Sequence, residues 1–247
     1  MSAGLKISEM FLSIQGEGKR AGSLSFFIRT NHCNLRCKFS SGNLCDTPYT
    51  SWFPDNKDNL GIIPISEIVK AYSVNPPPNV VITGGEPGMY GEKLIDLCNE
   101  LRKVNPGIHI TLETNGTYPG KYLESFDLIS VSPKLASSVP IDTSHRESHE
   151  RQRINPDALK QINSLHRLGL VDVQWKFVYT GVSDVGEIKQ FQILSGFRNS
   201  DVYLMPEGIT GNELELKRME TAETAIRHGW NYTDRLHIMI WGNKRGV

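Results

Sequence analysis

The sequence contains no apolar run near the roughly 20 residues that a membrane-spanning helix needs, which excludes a transmembrane helix. The N-terminus, MSAGLKISEM, lacks the apolar core of a secretory leader, so a cytoplasmic protein is expected. Excess charge of one sign is also missing: 27 Lys and Arg offset 27 Asp and Glu over 247 residues. That balance argues against a general nucleic-acid coat or a polybasic membrane binder, while leaving room for a local basic pocket. No internal repeat or low-complexity tract is found. Cysteine is scarce, with four residues, too few in too long a chain for a secreted disulfide scaffold. Cys98, in LIDLCNEL, stands at a helical apolar position and reads as a buried small hydrophobe. Cys33, Cys37 and Cys45 fall close together, and clustered thiols in a reducing compartment bind metal or do redox work.

Strand-like, β-branched runs recur at 5–14, 24–30, 79–83, 108–113, 127–131, 172–179, 201–205 and 234–240. Helix-like runs at 65–72, 92–104, 156–169, 183–194 and 212–229 lie between most of them. This alternation predicts parallel βαβ units in the α/β class. The strands are too few for an eight-fold barrel, so a partial (β/α)6 TIM-like barrel or an open twisted sheet is expected, preceded by an N-terminal strand pair. Residues 1–247 read as a single domain, since no linker divides them. In either architecture ligands sit at the C-terminal ends of the strands. Two stretches break the rhythm: residues 31–60 read as a loop without a period, and 133–154 as a polar, mobile surface loop in which His145 and His149 are solvated.

The cysteine loop follows run 24–30 and so belongs at a strand's C-terminal edge. Three thiolates can wrap a [4Fe–4S] cluster and leave one iron open. An open position marks a catalytic centre. The gap of seven residues between Cys37 and Cys45 also admits zinc, with His32 or another side chain as a fourth ligand, or three unrelated buried thiols. Other polar, glycine-rich segments end successive strands. Thr83-Gly84-Gly85-Glu86-Pro87 lets a backbone approach a ligand closely, with Glu86 offering a carboxylate to an ammonium group, or is a tight turn. Ile14-Gln15-Gly16-Glu17-Gly18 suits a polar planar heterocycle, or is a hairpin turn. Arg29 can grip a carboxylate bidentately or form a loop salt bridge. Glu113-Thr114-Asn115-Gly116 and Ser132-Pro133-Lys134 end two further strands, and the recurrence points to a ring around one pocket.

Together these segments resemble the radical S-adenosylmethionine (SAM) superfamily and, within it, the family of 7-carboxy-7-deazaguanine synthases. The marks run in the family's order through Ile14-Gln15-Gly16-Glu17-Gly18, Phe27-Ile28-Arg29, Cys33-Asn34-Leu35, Cys45-Asp46-Thr47, Thr83-Gly84-Gly85-Glu86-Pro87, Glu113 to Thr117 and Ser132-Pro133-Lys134. Leu204 to Gly208 and Leu236-His237 are weaker matches. The resemblance implies that Cys33, Cys37 and Cys45 hold the cluster and that Thr47 places Mg²⁺. It implies SAM contacts from Gly85, Glu86, Ser132, Pro133, Lys134, Met205, Pro206 and Glu207, and substrate contacts from Ile14, Gln15, Gly16, Arg29 and Thr83. The implied reaction turns 6-carboxy-5,6,7,8-tetrahydropterin into 7-carboxy-7-deazaguanine and ammonia, through a 5′-deoxyadenosyl radical made by one-electron cleavage of SAM. The implied partners are the small-molecule pterin, an external one-electron reductant and a second subunit in a homodimer, with no direct nucleic-acid or membrane partner. Two rivals stand beside this reading: a glycyl-radical activase, which would act on a protein, and a non-catalytic zinc module. The chain departs from the family's usual cysteine spacing, three residues then two, and its C-terminal tail runs on through Trp241 to Val247.

Overall fold

The structure, a computed structural model, describes residues 4–247. In chain order its main elements are β1 (Gly4–Ile14), β2 (Leu24–Thr30), the one-turn α1 (Pro48–Ser51), β3 (Gly61–Pro64), α2 (Ile65–Ser73), β4 (Asn79–Gly84), α3 (Lys93–Val104), β5 (His109–Thr114) and β6 (Leu128–Val131). These are followed by α4 (Arg146–Gln152), α5 (Pro156–Arg167), β7 (Asp172–Tyr179), α6 (Asp184–Ser195), β8 (Val202–Pro206), α7 (Gly211–His228), β9 (Asn231–Tyr232) and α8 (Leu236–Trp241). The strands form one sheet in the order β3-β1-β2-β4-β5-β6-β7-β8-β9. β1 pairs antiparallel with both β2 and β3, and every pairing from β2 to β9 is parallel. The sheet stays open, with β3 and β9 at its edges, so the α/β fold is the expected incomplete barrel with its antiparallel N-terminal pair.

Period-two alternation sorts the strand side chains onto two faces. Ile28, Ile82, Leu112, Trp175, Phe177 and Leu204 are buried in the hydrophobic core with residues of α2, α3, α5 and α6. Their chain neighbours Arg29, Thr83, Glu113, Lys176 and Met205 belong to the other face, which lines a cavity. Local signals start and stop the helices on time. Asn155 accepts from Asp157 N at 3.2 Å and Ala158 N at 3.3 Å ahead of Pro156, a cap that stabilises α5 by about 1 kcal/mol. Thr210 and Glu213 form a reciprocal capping box on α7, and Gly229 ends it at φ 65°. Among the described residues no helix is long and apolar enough to cross a membrane.

Three expectations are corrected. Run 234–240 is not a strand: most of it belongs to α8, anchored by Leu236 N to Gly16 O at 3.0 Å, and the last strand is the two-residue β9. Within and just beyond the 31–60 stretch lie α1 and β3; β3 is a short edge strand ended by Pro64, where proline is tolerated. Residues 133–154 are not a mobile solvated loop. They contain a 3₁₀ turn at Ala136–Ser138 and α4, and His149 is buried. Arg153 explains the order: its guanidinium donates to Glu150, to Glu187 of α6 at 2.6 Å and to Lys134 O at 3.0 Å.

Candidate active site

The C-terminal ends of the parallel strands open into a cavity of ≈ 510 Å³. The cysteine loop forms one side. Its seven-residue gap is looped out: Lys38 and Leu44 make an antiparallel bridge, and Phe39 N donates to Asn43 O at 2.8 Å. The base of this small hairpin is closed by Cys45 N donating to Cys37 O at 3.2 Å. Cys37 and Cys45 are therefore neighbours in space despite the insertion, and Cys33, Cys37 and Cys45 all line the cavity. The hairpin is held from above, where Asn43 Nδ2 donates to Glu207 at 2.8 Å and to Glu213 at 3.0 Å, and Ser41 Oγ donates to Glu207 at 3.1 Å.

The donor set fits an iron–sulfur cluster. All three thiols are free, and burial pushes each of them up, Cys45 to about 12 with Cys37 as the next cause. Thiols held up by burial stay protonated unless positive charge arrives, and a bound iron–sulfur cluster would supply it. Among the described residues no three Cys, His, Asp or Glu side chains are grouped to hold a single metal ion, and His32 is outside the cavity wall. That geometry counts against the zinc alternative, whereas a cubane needs its three thiolates at separate corners.

Against the start of the loop, Gly84 has φ 132°, and an added Cβ at Gly85 would meet His32 O at 1.9 Å. The two glycines thus let β4's exit press directly on the cysteine loop's entry, with Glu86 N donating to His32 O at 2.8 Å. Glu86 itself does not face the cavity: its carboxylate accepts from Gly88 N, Thr114 Oγ1 and Asn115 N, which ties the ends of β4 and β5 together. Gly85, Ser132, Lys134, Met205 and Glu207 line the cavity, while Pro133 and Pro206 are outside its wall. Lys134 Nζ donates to Ser132 Oγ at 2.8 Å. Thr47 lines the wall beside the cysteines.

Ile14, Gln15, Gly16, Arg29 and Thr83 come together on the remaining side. Gln15 Nε2 donates to Glu113 Oε1 at 3.1 Å, and Thr83 Oγ1 donates to Glu113 Oε2 at 2.7 Å, so two of the expected residues orient a carboxylate outside the expected set. Arg29 Nε donates to Glu9 at 2.7 Å, and Tyr49 donates to the same oxygen at 2.7 Å. Beneath them lies a buried charge network. Glu17 accepts from Lys176 and, at 3.2 Å, from Arg235, which also donates to Asp46. Burial opposes ionisation of Glu17, but Lys176 and Arg235 outweigh it and hold its carboxyl far below the usual carboxylate range.

Lys176, Arg235, His237 and the tail residues Asn243 to Val247 also line the cavity and were not expected there. One signal existed for Lys176, a lone cation in the interior of the run DVQWKFVY. The tail returns because Arg245 donates to Glu9 at 2.9 Å and to Ser8 O at 2.9 Å, and lies 4.2 Å over the Tyr49 ring.

An open α/β barrel with three thiols at the strand ends is the architecture of a radical SAM protein, and residues 27–187 match the model of the Radical SAM superfamily. The chain belongs to that superfamily. It is 39% identical to the 7-carboxy-7-deazaguanine synthase of Halobacterium salinarum, covering 97% of this chain and 91% of that protein. It is 36% identical to the 7-carboxy-7-deazaguanine synthase of Rhodopirellula baltica, covering 98% and 89%. Within the superfamily, the chain belongs to the 7-carboxy-7-deazaguanine synthase family. The fold is shared with the crystal structure of QueE from Escherichia coli, at a TM-score of 0.66, 22% identity and 95% coverage of both chains.

Proposed function

We propose that the chain converts 6-carboxy-5,6,7,8-tetrahydropterin to 7-carboxy-7-deazaguanine and ammonia. In this reading Cys33, Cys37 and Cys45 hold a [4Fe–4S] cluster, Gly85, Ser132, Lys134, Met205 and Glu207 hold SAM, and the Thr47 hydroxyl places Mg²⁺. When bound, the cluster and SAM supply one-electron cleavage of a sulfonium and removal of a hydrogen atom from the pterin. The enzyme draws its electron from an external reductant and works as a cytoplasmic homodimer.

The observation that carries the reading is the convergence of Arg29, Gln15, Thr83 and Glu113 in the cavity that the three thiols line. Arg29 spends Nε on Glu9, and among the described residues its terminal nitrogens donate to no protein group, so they serve the substrate carboxylate. Glu113, fixed by Gln15 and Thr83, accepts N–H groups from one edge of the heterocycle. Lys176 lies 3.9 Å from the same carboxylate, a cation on its far side. The tail, pinned by Arg245, narrows the opening and limits access of water and stray hydrogen donors.

The test is anaerobic reconstitution followed by mass spectrometry of the pterin reaction. Consumption of the pterin with release of ammonia is expected. Cleavage of SAM without loss of pterin would sink the reading in favour of an activase, and a colourless protein carrying zinc would favour the interaction module.

A further inference from the structure

His149 of α4 is a buried ionisable group to which the site as described gives no role, and it is 1% exposed. Its Nδ1 accepts the backbone N–H of Arg36 at 3.2 Å, and Arg36 lies between Cys33 and Cys37. A ring nitrogen that accepts carries no proton, so the imidazole proton is on Nε2, 3.5 Å from Ser138 Oγ. Ser138 Oγ sends its own proton to Leu135 O at 2.7 Å, which leaves it free to accept. Burial and the neighbouring Arg153 push the ring's pKa down to about 4, in keeping with a neutral imidazole.

Ser138 completes the grip from its main chain: its carbonyl accepts Lys38 N at 3.0 Å. The amides of Arg36 and Lys38, on either side of Cys37, are thus both held by the 136–149 segment. The same face adds a Lys38–Asp142 ion pair and an edge-on contact of Trp52 with His145, ring centroids 5.5 Å apart.

We infer that His149 is a positioning residue for the cysteine loop, fixing Cys37 through the Arg36 amide and keeping that amide from bonding to cluster sulfur. The inference rests on the assignment of Cys33, Cys37 and Cys45 as cluster ligands. Hydrogen bonds to cluster sulfur are one of the levers on reduction potential, so an imidazole that engages the flanking amide acts on the potential as well as on retention.

The test compares full-length wild type with His149→Ala, His149→Asn and His149→Gln. Asn places an acceptor oxygen near the position of Nδ1, whereas Gln reaches the position of Nε2 and leaves the Arg36 amide without its partner. Three quantities are read: amide hydrogen exchange over residues 33–38 in the metal-free chain, the rate of cluster loss to an iron chelator after anaerobic reconstitution, and the midpoint potential. His149→Ala and His149→Gln are expected to exchange faster over 33–38, to lose the cluster about tenfold faster and to shift the potential upward, with His149→Asn close to wild type. Equal behaviour of the Asn and Gln variants overturns the inference, as does wild-type exchange and retention in His149→Ala. If His149→Ala does not fold, the Asn and Gln pair decides. A wild-type chain that takes up no cluster defeats the cysteine assignment instead, and the exchange comparison still judges His149.

Discussion

Glu17 and Lys176, 159 residues apart in the chain, meet as an ion pair in the wall of the cavity. One comes from the glycine-rich exit of β1 and the other from the middle of β7, so the pair clamps the antiparallel start of the sheet to its parallel half. Neither is free to leave, because Arg235 binds Glu17 from a second side.

Glu17→Gln should therefore cost about 3 kcal/mol at pH 7, since it leaves two buried cations without their shared carboxylate. The pH dependence has a definite sign. Glu17 is held below its ordinary value of 4.5, so its stabilisation is complete above that value and is lost as pH falls towards the lower folded-state pKa. Urea unfolding of both proteins should show the gap between them closing below about pH 4.5. A gap as wide at pH 3 as at pH 7 would contradict the pairing.

Gly85→Ala tests the contact between β4's exit and the cysteine loop. A methyl group there would sit 1.9 Å from His32 O, a backbone atom that cannot swing aside. A loss of about 3 kcal/mol in thermal unfolding is expected, together with poor cluster uptake. Stability and iron content unchanged from wild type would show that the loop yields easily.

Arg29→Lys keeps the charge and loses the planar fork. The apparent affinity for the pterin should fall about tenfold or more while cluster content stays at the wild-type level. Steady-state kinetics with the carboxylated substrate measures this, and an unchanged KM would remove Arg29 from carboxylate recognition.

Cys98 separates a core thiol from a ligand. It is fully buried in α3, away from the cavity. Cys98→Ala should retain full iron and sulfide at a cost of about 1 kcal/mol, whereas Cys45→Ala should lose the cluster. A cluster that survives Cys45→Ala, read by its visible absorption, would refute the ligand set.

How much of this was legible beforehand depended on where the signal resided. Run 24–30 and run 172–179 coincide with β2 and β7, because apolar, β-branched stretches between turn residues report directly on strands. Arg29 and Thr83 share the cavity because the parallel strands β2 and β4 end at one edge, whereas Gln15 follows the antiparallel β1 and joins them through its bond to Glu113. Lys176 was overlooked because its meaning depends on Glu17, and that pairing exists only after folding. The 133–154 stretch looked solvated for a similar reason: the charge of Arg153 is matched by Glu187, which lies far along the chain on α6. The helix α8 spans six residues, too short for a helical period to stand out from an apolar strand.

The detour between Cys37 and Cys45 closes on itself through the Lys38–Leu44 bridge before the second sulfur is reached. Counting letters between these two cysteines is consequently a poor ruler for this site. A search pattern with a fixed gap would discard the chain, while one that asks which backbone amide meets which carbonyl would keep it. The extra residues stand out from the line of the chain, as cloth is gathered into a pleat, and the two cysteines on either side still meet.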